Sequence, residues 1–265
     1  MKYVDHDVID FHTHPFSEDA NNICSHLEYC DMSVDSTRRV FENLGVGKIC
    51  GSVLSFSHKT PAEVSAWERI QVDNEVALKL ADYYGGFYIP GFHVHPDFVA
   101  DSIAEIRRMH ARGVKLIGEL CPYMYGWRDY SCEGFSKILD EAEACGMVVS
   151  FHSSGEDEMD AMVKAHPGVV FVAAHPGEYG SFMRHLARMR MSDNYYLDLS
   201  GYGMFRHGML KHAVDEFGAE RFLFGSDYPT CNPAMYLGGV LLDELISEAD
   251  KKKILFENAK RLLGI

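Results

Sequence analysis

Eight short apolar runs recur along the whole chain, and each pair is separated by a stretch long enough for a helix. The runs are "VIDFHTHPF" at 8–16, "KICGSVLSF" at 48–56, "GGFYIPGFHV" at 85–94 and "GVKLIGEL" at 113–120. They continue with "GMVVSFH" at 146–152, "GVVFVAAH" at 168–175, "YYLDLSG" at 195–201 and "RFLFGSD" at 221–227. Nearly continuous apolar strands are those buried on both faces, which happens when helices cover a parallel sheet. The intervening stretches 61–84, 96–113 and 135–146 are amphipathic, with proline near the start of the first two and glycine closing the last two. Strictly alternating strands and helices predict a closed α/β barrel of the (β/α)8, or TIM, type. An open doubly wound sheet would usually offer a glycine-rich phosphate loop after an early strand, and neither GxGxxG nor GxxxxGK[ST] is present. At 265 residues and 47% hydrophobic, the chain fits one such barrel as a single domain over 1–265, with 248–265 as a final helix packed against it.

Charge narrows the partners. Thirty-nine acidic against 25 basic residues give a formal charge of -14, a field that repels polyanions and anionic lipid surfaces. A small-molecule substrate is therefore expected, with neither nucleic acid nor membrane as partner; a homo-oligomer is compatible with the sequence. The longest basic run, "KKK" at 251–253, is expected on a solvated helix face. No stretch has the apolar length of a membrane span or the pattern of a signal peptide, so a cytoplasmic protein is expected. The seven cysteines, at 24, 30, 50, 121, 132, 145 and 231, show no CxxC spacing, which argues against a disulfide framework or a thiolate zinc site.

In a barrel of this kind chemistry gathers at the carboxyl ends of the strands. His12 and His14 end the first run, Glu119 the fourth, His152 the fifth, His175 the sixth and Asp227 the eighth. Alone, the HxH of the first run is equally compatible with a ligand pair and with polar residues where a strand meets a loop. On a strand, both rings would point the same way, opposite Thr13. Six nitrogen and carboxylate donors at one rim suit zinc or a similar divalent ion with an open position for water.

With HxH after strand one, His after strands five and six and Asp after strand eight, the chain resembles the amidohydrolase superfamily. "VIDFHTHPF", "FVAAHPG", "FLFGSDYP" and the closing "KKKILFENAKRLLGI" are similar to its amidohydrolase-2 branch, which contains hydrolases and nonoxidative decarboxylases. The resemblance spans the whole chain. It implies that His12, His14, His152 and Asp227 hold a metal ion and that His175 contacts substrate or a second ion. One departure stands out. Many binuclear relatives use a carboxylated lysine on strand four, whereas Lys115 lies four residues before this strand's end and Glu119 occupies the rim. "IGEL" resembles the strand-four glutamate of TatD-like hydrolases, which implies either a metal role or a supporting role for Glu119. One or two ions per chain, most simply zinc, follow from the resemblance.

The mechanism these residues suggest is hydrolysis of an ester, lactone or amide, in which a divalent ion lowers the pKa of water and polarises the scissile group. Asp227 would take the proton and return it to the leaving group, while His175 orients the attacking oxygen or steadies the oxyanion. The nearest rival is metal-dependent decarboxylation of an aromatic or enol-type acid, with Asp227 or His175 protonating carbon. A noncatalytic metal-binding barrel is a third reading, and a TatD-like nuclease is opposed by the acidic charge. Secondary candidates for the pocket are His93 and His95, the aromatic stretch 121–127, and the loop residues Arg206, His207 and Tyr228.

Overall fold

The structure is a computed structural model that describes residues 7–16, 33–54, 64–203 and 206–265. Ser55, Phe56, Cys24, Cys30 and residues 61–63, which belong to stretches read above, lie outside the described residues. The strands are Ile9–Asp10 (β1), Lys48–Ser52 (β2), Tyr88–Phe92 (β3) and Leu116–Leu120 (β4), then Val148–His152 (β5), Val170–Ala174 (β6), Tyr195–Asp198 (β7) and Phe222–Leu223 (β8). All neighbours pair in parallel in the order β1 to β8. Beyond the short first and last strands, the Phe11 amide donates to Phe224 O at 2.8 Å, the Asp227 amide donates to His12 O at 2.8 Å, and Thr13 bridges Tyr228. These bonds join β8 to β1 and close the (β/α)8 barrel.

Helices cover the outside: Val34–Leu44 (α1), Ala66–Tyr84 (α2), Val99–Ala111 (α3), Glu133–Ala144 (α4) and Glu156–Ala165 (α5) in the first part. Tyr179–Met191 (α6), Met209–Phe217 (α7), Pro233–Leu241 (α8), Glu248–Lys252 (α9) and Asn258–Leu263 (α10) follow. The first two start at capping boxes: Ser33 and Ser36 at α1, and Ser65 and Glu68 at α2, exchange side-chain-to-backbone bonds. The expected final helix is two helical segments joined by a π turn at Lys253–Glu257. Of the basic run, Lys251 is not on a solvated face: its Nζ is buried and donates to Leu241 O and Glu248.

Two apolar layers result. The larger lies between sheet and helices, with Phe41, Ile70, Phe92, Phe135, Phe151, Phe171 and Phe222 at its centre. The smaller takes Ile9, Phe11, Cys50, Leu116, Val148, Val172, Tyr196 and Leu223 from the strands and Ala259 and Leu263 from α10. This inner layer fills the barrel, and the tail helix packs against it, so the polar residues at the strand ends sit on a dry apolar floor. Among the described residues the cysteines are free, and no helix is long and apolar enough to cross a membrane.

Candidate metal centre

All six expected rim residues come together. Glu119 is the hub, and it is 2% exposed. Its Oε2 lies 3.2 Å from His12 Nε2 and 3.1 Å from His14 Nε2, whereas its Oε1 lies 3.1 Å from His152 Nδ1 and 3.4 Å from His175 Nε2. Asp227 Oδ1 stands 3.7 Å from His12 Nε2 and 3.6 Å from His14 Nε2. His152 is the most open of the imidazoles, its side chain 28% exposed, so the centre opens to solvent on that side.

Local backbone explains why these side chains converge although strict alternation would scatter them. Pairing of β4 with β5 shifts between Ile117 and Leu120, a bulge-like irregularity that sits at Glu119. Ile9 and Phe11 share the inner layer, yet His12 and His14 also turn inward, because the β1 ladder ends at Asp10 and the alternation breaks. His175 and Asp227 adopt left-handed backbone, with φ of 67° and 60°. For residues with a Cβ this conformation is costly and concentrates where surrounding structure enforces it.

Tautomers follow from the partners. His14 Nδ1 lies 2.9 Å from the Ser52 carbonyl, which can only accept, so Nδ1 carries a proton and Nε2 is the nitrogen left facing Glu119. His12 Nδ1 is 2.9 Å from Asp198 Oδ2, with the same result. Asp198, which is not among the candidates read from the sequence, ends β7 in "YYLDLSG" and is fully buried. The rule that located Asp227, an acid closing a barrel strand, applies to it equally.

Electrostatics mark the cluster as a cation site. Among the described residues, the ion-pair partners of Glu119, Asp198 and Asp227 are all imidazoles. Burial raises the Glu119 carboxyl, but the charge of His12 and hydrogen bonds from His12, His14 and His152 outweigh it and hold the pKa well below the ordinary range. Burial alone would lower His12; Asp198 and Glu119 overcome this and raise it well above an ordinary imidazole. His175 is likewise raised, with burial opposed by Glu119. Buried carboxylates thus draw a proton onto the imidazoles between them, the charge a metal cation would replace. The donor atoms of His12, His14 and Glu119 lie within 4.8 Å of one another, as do those of Glu119, His152 and His175. Nitrogen and carboxylate donors at this spacing fit divalent cations.

The secondary candidates separate. His95 is consumed by structure: Nε2 lies 3.1 Å from Tyr125 O, and Nδ1 accepts the Asp97 amide. His93 donates from Nε2 to Val53 O at 2.8 Å, and burial lowers its pKa to about 4, which keeps it neutral; its Nδ1 is buried with no hydrogen-bond partner among the described residues. In the 121–127 stretch Tyr125 and Trp127 are core, while Tyr123 is 53% exposed and meets His152 edge-on at 5.3 Å. Tyr228 is buried against Phe41 with its hydroxyl 3.2 Å from Thr37 Oγ1, and Arg206 pairs with Glu178. His207 is exposed. Lys115 points away from the rim, its Nζ beside Gly264 at the tail.

The amidohydrolase family model of the amidohydrolase-2 type matches residues 9–265. The chain belongs to this amidohydrolase family. No curated protein sequence matches it significantly. Among solved structures the amidohydrolase fold recurs in 2,6-dihydroxybenzoate decarboxylase from Rhizobium (TM-score 0.73, 15% identity, 98% of this chain and 99% of that one). A dihydroxybenzoic acid decarboxylase from Polaromonas, holding manganese and an inhibitor, gives TM-score 0.71 at 14% identity over 98% and 97% of the two chains. A probable 2-pyrone-4,6-dicarboxylic acid hydrolase from Acinetobacter baumannii gives 0.67 at 15% identity over 98% and 100%.

Proposed function

We propose that the protein is a metal-dependent hydrolase that cleaves a small-molecule ester, lactone or amide. The observation that carries this reading is the division of Glu119: one carboxylate oxygen faces His12 and His14, the other faces His152 and His175. A carboxylate so placed suits two adjacent cation positions, the first completed by Asp227 and the second by His175. His12, His14 and Asp227 would hold one ion, His152 and His175 the other, with Glu119 common to both; zinc suits this mixed donor set. When bound, such ions supply Lewis-acid polarisation of the scissile group and a lowered pKa for water.

The chain's own groups supply the rest. Asp227, the outward carboxylate of the cluster, accepts the proton of the attacking water and passes it to the leaving group. His175 would help hold the second ion beside the substrate oxygen on which charge develops.

A second reading is decarboxylation of an aromatic acid, favoured by the exposed Tyr123 ring that flanks His152 and offers a face for stacking. The test is elemental analysis of the purified protein, then a screen of esters, lactones, amides and hydroxybenzoates with released acid and CO2 both monitored. Acid release without CO2 supports hydrolysis; CO2 release moves the protein to the lyases; a chain without bound or bindable divalent metal overturns both.

A further inference from the structure

Behind the imidazoles, on the side away from Glu119, lies a buried polar cluster that the proposed reaction does not use. Asp198 Oδ2 is 2.9 Å from His12 Nδ1. Asp198 Oδ1 accepts the Ser200 amide at 3.0 Å, the His175 amide at 3.4 Å and the Ser200 hydroxyl. Ser200 Oγ in turn lies 3.0 Å from His175 Nδ1 and 2.9 Å from His12 Nδ1. Asp198 and Ser200 are both fully buried.

On the Nδ1 side of the rings only one arrangement of protons satisfies the contacts. A carboxylate accepts at both oxygens and donates at neither, so His12 donates from Nδ1 to Oδ2, and Ser200 spends its single proton on Oδ1. Ser200 Oγ is then purely an acceptor toward the rings, and His175 must also donate from Nδ1. We propose that Asp198 is the positioning residue of the centre: reaching His12 directly and His175 through Ser200, it keeps both rings protonated at Nδ1 and so turns both Nε2 atoms, as ligands, toward Glu119. One carboxylate therefore serves both halves of the centre.

Packing locks the arrangement. A Cβ at Gly225 would come 2.7 Å from His12 Cβ and 3.1 Å from Ser200 Cβ, and one at Gly201 would come 2.2 Å from His175 Nδ1. The His175 ring and the His12 and Ser200 Cβ atoms sit where only glycine leaves room.

The consequence is asymmetric and can be read without any substrate. In Asp198→Asn the amide keeps one acceptor oxygen and gains a donor. Its oxygen belongs at the Oδ1 position, where two backbone amides and the Ser200 hydroxyl converge; its NH2 then faces His12 Nδ1. His12 must then give up its Nδ1 proton and carry one only at Nε2, toward Glu119, while His175 keeps its own at Nδ1. In Ser200→Ala the effect reverses: His175 loses its Nδ1 acceptor, and His12 keeps Asp198. The inference that Nε2 serves as a metal ligand rests on the proposed function; the proton positions do not.

The experiment is nitrogen-15 NMR of histidine side chains in the metal-free parent and in both variants, followed by Zn2+ competition against a chelator. Expected are Nδ1–H on both rings in the parent, loss of Nδ1–H confined to His12 in Asp198→Asn, and loss confined to His175 in Ser200→Ala. Zn2+ affinity of Asp198→Asn should fall about tenfold to hundredfold, the usual effect of removing a group that orients a ligand. Unchanged tautomers in the folded variants overturn the proposal even if Zn2+ binds. If Asp198→Asn does not fold, the smaller Ser200→Ala change decides alone: His175 unchanged overturns the proposal. The stated tautomers in a parent that binds no Zn2+ leave the positioning role standing and remove the metal-dependent reading.

Discussion

Gly201 and His175 occupy mutually exclusive space: a Cβ on the first would lie 2.2 Å from Nδ1 of the second. Gly201 also has φ of 58°, the left-handed region that a side chain disfavours. The loop after β7 therefore presses backbone, rather than a side chain, against an imidazole of the metal centre.

Gly201→Ala should consequently displace the His175 ring. The expected loss of stability is about 1–3 kcal/mol, from overpacking together with the unfavourable backbone region. The loss of activity should exceed what that destabilisation explains if the ring supplies a metal donor, as proposed. Urea unfolding and metal titration of the variant check this; parental metal stoichiometry with parental activity would sink the argument.

Glu119→Gln preserves shape but leaves one acceptor oxygen where there were two. One histidine pair then faces an amide NH2 and loses its carboxylate. The parent should bind two divalent ions per chain at saturation and the variant one, by titration with elemental analysis. A single ion in the parent, or the same stoichiometry in both, removes Glu119 from a bridging position.

Asp227→Asn keeps the side chain near His12 and His14 but cannot carry a proton at neutral pH. Once a substrate is in hand, kcat should drop by about a hundredfold or more while KM changes little. An unchanged kcat would take Asp227 out of proton transfer.

A pH effect is expected on α6, behind the centre. His185 on α6 is fully buried, with Nδ1 2.7 Å from the Tyr195 hydroxyl, and burial with the nearby Arg188 charge lowers its pKa from 6.5 to about 3. The unfolded chain takes up this proton near pH 6.5 and the folded chain does not. Stability from the neutral ring is thus complete above pH 6.5 and falls as pH drops toward 3. Between pH 7 and 5 the metal-free parent should lose about 2 kcal/mol more than His185→Gln, at about 1.4 kcal/mol per pH unit. Parallel stability curves by urea unfolding would show that His185 does not titrate on unfolding.

The order of elements was legible because each barrel strand is buried on both faces and so reads as an unbroken apolar run, bounded by helix starts and stops that act locally. That pattern placed His12, His14, Glu119, His152, His175 and Asp227 at one rim, since strand ends in such a barrel share one face whatever the details of packing. Which atoms meet could not be read. Alternation along a strand gives direction only while the ladder is regular, and here it fails at the functional positions: after Asp10, through the irregularity at Glu119, and at the left-handed backbone of His175 and Asp227. Asp198 and Ser200 are 186 and 188 residues from His12 in sequence, and their partnership exists only once β7 and β1 lie across the barrel mouth from β4. Sequence set the inventory of donors and the rim they occupy, through local periodicity. The division of Glu119 between two histidine pairs and the shared acceptor behind them were decided by barrel closure, which alone brings distant strand ends within hydrogen-bond reach.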